Sequence, residues 1–112
     1  MKIAINTCYG GFGLSDRAIE RYAELAGLDL VKHEDDAGWG SHFYHRGTNE
    51  FFSAYNFDRT DPILIKTIEE LGTVADGFCA QLKVVDVPDG VDWQIDEYDG
   101  IEWVAEKHRT WN

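Results

Sequence analysis

The chain has 112 residues and carries ten basic against twenty-one acidic side chains, a formal charge of −11. That length fits one domain with its own core, and that charge repels duplex nucleic acid and anionic membrane surfaces. Two cysteines, Cys8 and Cys79, are too few for a disulfide framework, and no signal-like or bilayer-spanning apolar run is visible, so the cytoplasm is the expected compartment.

Residues 2–8 alternate, with Ile3 and Ile5 on one side, and predict a strand packed by a helix. The helix follows at once: from Asp16 to Ala26 the apolar positions Ala18, Ile19, Tyr22, Leu25 and Ala26 share a face, Ser15 is placed to cap it, and Gly27 to end it. Between strand and helix lie Gly10, Gly11 and Gly13, which permit positive φ and close approach by a ligand at a helix N-terminus. Residues 30–32 predict a short strand and residues 50–57 another. The stretch between them, residues 35–49, is glycine-punctuated and aromatic-rich, and the wider region 33–57 reads as a binding loop or an insertion. Asp61-Pro62 opens a second helix with a buried stripe of Leu64, Ile65, Ile68 and Leu71, ended by Gly72, and residues 74–80 extend the helical region after a break. Strands over 82–87, from Trp93, and over 101–107 complete the chain, the last two joined by an Asp99-Gly100 hairpin turn. The predicted class is α+β: a single small domain with a mixed or antiparallel sheet packed with two helices, in the order β-α-(β-loop-β)-α-β-β-β. The exposed sheet edge of such a domain favours a homodimer or higher homo-oligomer.

The candidate ligand-binding set is Cys8, Tyr9, Gly10, Gly11, Phe12, Gly13, Leu14 and Ser15, with Arg17, Arg59 and Arg109 adding charge suited to phosphate. The turn departs from known phosphate motifs: Leu14 stands where a P-loop has lysine, and Asp16 where a dinucleotide fingerprint has a small residue. Cys8 before a helix N-terminus suits a thiolate nucleophile, yet Leu14 occupies the arginine position of a cysteine phosphatase, so an inert packed cysteine is the simpler reading. His33, Asp35, Asp36, His42 and His45 are metal-ligand types without a converging spacing, and neither a metal nor a cofactor is expected. The eight acids from Asp86 to Glu106 read as a solvated face.

Three stretches, KIAINTCYGGFGLS at 2–15, RTDPILIKTIEELG at 59–72 and EYDGIEWVAEKHRTW at 97–111, resemble a family of small phage and prophage proteins, mostly of unassigned function. The resemblance implies a phage origin and a bacterial host cytoplasm. By analogy it suggests a non-catalytic sponge for a phosphorylated nucleotide immune signal, of ADP-ribose type or cyclic, that counters anti-phage defence. Two alternatives stand beside it: an acidic inhibitor that binds a host protein, and a small nucleotide-processing hydrolase.

Overall fold

A computed structural model describes residues 1–34 and 41–107. These form strand β1 (Lys2–Asn6), helix α1 (Asp16–Ala26), strands β2 (Leu30–Glu34), β3 (Ser41–His45) and β4 (Phe51–Phe52), helix α2 (Pro62–Leu71) with a 3₁₀ turn Gly72–Ala75, then β5 (Leu82–Asp86), β6 (Trp93–Tyr98) and β7 (Ile101–Glu106). The result is a single compact α+β domain. In place of one sheet it has three small antiparallel ones: β1 with β5, β2–β3–β4, and the hairpin β6–β7.

Both helices start where their chemistry dictates. Ser15 accepts a hydrogen bond from the Ala18 N–H and Asp61 one from the Ile63 N–H, each capping a first turn, while Gly27 closes α1 at φ 72°. Their apolar stripes, Ala18, Ile19 and Ala23 on α1 and Leu64, Ile65 and Ile68 on α2, are buried. Burial of each large aliphatic chain stabilises by roughly 1.5–3 kcal/mol.

Strand β1 is covered on both faces, which explains why Lys2-Ile-Ala-Ile-Asn reads as alternating yet buries nearly every residue. Ala4 faces the helices, in a core with Phe12, Leu14, Ile19, Leu64 and Ile68. Ile3 and Ile5 face the other way, against Val87 and the hairpin residues Trp93, Ile95 and Val104.

Three local expectations are corrected. Within the expected loop 33–57, residues 41–45 form β3, paired with β2 so that Val31 opposes Tyr44 and His33 opposes His42. The strand expected over 50–57 shrinks to Phe51–Phe52, because Ser53 turns the chain by accepting from the Tyr55 N–H and the Ala54 carbonyl leaves to bind Leu14. Helical structure after Gly72, whose φ of 58° breaks α2, ends at Ala75. No described helix is long and apolar enough to cross a membrane.

Tyr22 on α1 donates its hydroxyl to the Asp61 Oδ2, tying the helices together. Burial, then that hydrogen bond and the nearby carboxylate charges, push its phenol up to about 12. Because the fold favours the protonated phenol, its contribution is complete below the ordinary value of about 10 and is lost as pH rises through about 12. An ultraviolet titration should show one tyrosine ionising last, and Tyr22→Phe should abolish that late phase. A late phase surviving in Tyr22→Phe would rule out this tyrosine as its source.

Candidate functional site

The glycine turn is anchored by Asn6, whose fully buried amide donates to the Cys8 carbonyl at 2.6 Å and the Gly100 carbonyl at 2.7 Å and accepts from the Gln81 N–H at 2.9 Å. These bonds hold the tip of the β6–β7 hairpin on the turn. A Cβ on Gly100 would stand 2.5 Å from the Gly11 nitrogen and 2.7 Å from that of Gly10, so both glycine amides lie beneath the hairpin turn. Gly10, at φ 115°, meets Cys79 equally closely. Farther on, the Leu14 N–H donates to Ala54, the Ser15 N–H to Ala75, and the Gly13 carbonyl accepts from Gly77. Gly10 and Gly13 thus serve close packing of chain against chain, Gly11 has open space where a Cβ would stand, and the Leu14 and Ser15 amides have partners within the protein.

The remaining members of the predicted set scatter. Phe12 and Leu14 belong to the core, Cys8 is half-buried, and Tyr9 is exposed. Arg17 lies on the surface of α1 with Glu20 at 4.0 Å. Arg59 is inside: its guanidinium lies 3.8 Å over the Phe12 ring, and two of its nitrogens donate to the two carboxylate oxygens of Glu102. Glu102 also accepts from the Asn6 N–H, so this acid, expected on a solvated face, is 12% exposed and joins three segments. Arg109 lies outside the described residues, as do Asp35 and Asp36.

What the structure does assemble is a cleft of ≈ 320 Å³. One wall is the start of α1, with Ser15 and Asp16; the opposite wall is His42 of β3 and Phe51 of β4; the ends are Tyr55 and the segment Asp76-Gly77-Phe78. The walls are joined by the Leu14–Ala54 and Gly77–Gly13 hydrogen bonds and a bridge between Leu14 and Asp76. Gly77 is required there, since a Cβ would stand 2.8 Å from the Gly13 backbone. Phe78 is 96% exposed, Tyr55 68% and Phe51 57%. The titratable side chains of the lining are Asp16, Asp76, His42 and Tyr55; no lysine or arginine lines it among the described residues. Asp76 uses Oδ1 to accept from the Leu82 N–H, and Asp16 has Lys32 at 3.5 Å.

Leu14 and Ser15 of the predicted set reach this cleft. Asp76 and Phe78 lie outside that set; the one signal for them in the sequence is a large apolar residue beside a glycine in a polar connection. His42 and His45 stand three apart on a strand and therefore on opposite faces, and no group of three metal-ligating side chains forms among the described residues. No protein-family model matches the chain, and neither a curated protein nor a solved structure is significantly similar to it.

Proposed function

We propose that this protein is a non-catalytic binder that acts by sequestration, and that its target is a basic segment of another protein, a host protein in the phage setting that the resemblance of its ends implies. The carrying observation is the partnering of charge: each described arginine has a carboxylate within 4.0 Å, while the cleft presents aromatic rings and two carboxylates. A phosphate entering there would meet repulsion from Asp76 and from Asp16, which shares Lys32 with Glu20, and would find no lysine or arginine in the described lining, whereas an incoming lysine or arginine would meet attraction.

A second reading keeps the nucleotide sponge, with an ADP-ribose-type or cyclic signal as ligand. Phe51, Tyr55 and Phe78 offer ring faces for a base, worth roughly 1–3 kcal/mol per stacked base, and the first turn of α1 borders the same cleft.

One experiment separates them. The protein is mixed with a panel of nucleotide signals and, separately, with arginine-rich and lysine-rich peptides, then denatured by heat and the released ligands chromatographed. The expected result is retention of the basic peptides, weakening steeply with salt, and no retained nucleotide. Release of an intact nucleotide would replace this reading with the sponge; release of an altered one would replace it with a hydrolase, for which Cys8→Ser should then abolish turnover.

A further inference from the structure

We infer that the cleft between α1 and β3–β4 docks an arginine-bearing segment of the partner protein, its cations against Asp16 and Asp76 and its apolar side chains against Phe51, Tyr55 and Phe78. This rests on the binding function proposed above and assigns it a surface.

Three observations converge on that occupant. The ring of Phe78 is almost wholly in water, while the preceding Gly77 donates its N–H to the Gly13 carbonyl and packs on its backbone. Large rings left bare together mark a surface that a partner covers. The carboxylates at the cleft come from different segments, Asp16 from α1 and Asp76 from the connection to β5; Asp16 has Lys32 at 3.5 Å on its Oδ2, while the Oδ2 of Asp76 takes no part in its backbone bond to Leu82. An arginine satisfies both chemistries at once, since its planar guanidinium stacks on rings and forks onto carboxylates. A second copy of this chain is disfavoured because it would bring another net charge of −11 to an acidic cleft. The walls are already joined by backbone bonds, so docking requires little ordering of the protein itself.

The test uses the whole chain and a short capped peptide of alternating arginine and phenylalanine, with the citrulline analogue as an uncharged control of the same shape. The arginine peptide is expected to bind and the citrulline peptide to bind at least about tenfold more weakly, as loss of charge-assisted contacts requires. Phe78→Ala removes a side chain that is 96% exposed, so its melting temperature should match wild type while affinity falls by about tenfold or more. The pair Asp16→Asn/Asp76→Asn should fall similarly, whereas Asp96→Asn/Asp99→Asn, which removes as much charge from the hairpin, should stay within about twofold. Equal binding of the arginine and citrulline peptides would overturn the cation assignment. Binding that survives Phe78→Ala and Asp16→Asn/Asp76→Asn but is lost with the hairpin pair would overturn the cleft while leaving the protein-binding function intact. Failure of every basic peptide, with uptake of a nucleotide instead, would overturn both.

Discussion

Arg59→Met is expected to lower the stability of the fold by about 3–5 kcal/mol, because it leaves the Glu102 carboxylate buried without its counter-charge. The two side chains are 19% and 12% exposed, and both Glu102 oxygens accept from Arg59. In a domain of this size such a loss lowers the melting temperature by roughly 10–20 °C. Arg59→Met/Glu102→Met should recover much of the loss, since two apolar chains leave no orphaned charge. Thermal or urea denaturation of the three proteins decides it. A phosphate-binding arginine would behave oppositely, keeping its melting temperature and losing ligand; a melting temperature near wild type in Arg59→Met would show that Glu102 does not depend on this partner.

Gly100→Ala is expected to be the most damaging of the glycine substitutions, by roughly 2–5 kcal/mol, the combined scale of overpacking and of a strained positive φ. Its φ is 91°, and the added methyl would stand 2.5 Å from the Gly11 nitrogen. Gly11 makes the comparison: at φ 99° an added Cβ would have nothing within 4 Å, so Gly11→Ala should cost only backbone strain, about 1–2 kcal/mol. Gly13→Ala meets only the Tyr55 ring at 3.1 Å, and that ring is free to shift into solvent. It should melt near wild type while displacing an aromatic wall of the cleft. Denaturation curves for the series test this order, and a Gly100→Ala protein as stable as Gly11→Ala would mean that the hairpin tip does not press on the glycine turn.

Those contrasts show how far local chemistry carries. Ser15, Asp61-Pro62 and Asp99-Gly100 encode caps and a turn within a few residues, and each forms as its residue types require. The pairing of β1 with β5, which sets Ile3 opposite Val85, joins segments some eighty positions apart and leaves no local trace. The same separation hid Glu102: an acid amid acids reads as solvated, and only the approach of Arg59 and Asn6 makes it an interior group. For the cleft, Leu14, Ser15 and the aromatics Phe51 and Tyr55 of the expected binding loop were within reach of sequence, whereas Asp76 and Phe78 acquire a role only because Gly77 packs on Gly13. Of the three glycines that suggested a phosphate cradle, Gly10 and Gly11 lie against Gly100 of the protein's own hairpin, and Gly13 is approached by Gly77.

The bond from Asn6 to Gly100 has a consequence for how the chain is made. As it leaves the ribosome, the segment carrying β1 and the glycine turn emerges well before the partners of Asn6 at Gln81, Gly100 and Glu102, which follow it by 75, 94 and 96 positions. Helices α1 and α2 can collapse on each other early, but Arg59 then waits beneath them as a charge without its carboxylate until β7 arrives. A nascent or clipped chain lacking β7 would leave Arg59 and the Asn6 N–H without Glu102 and one face of β1 without Val104, so the last strand supplies contacts that the first strand needs.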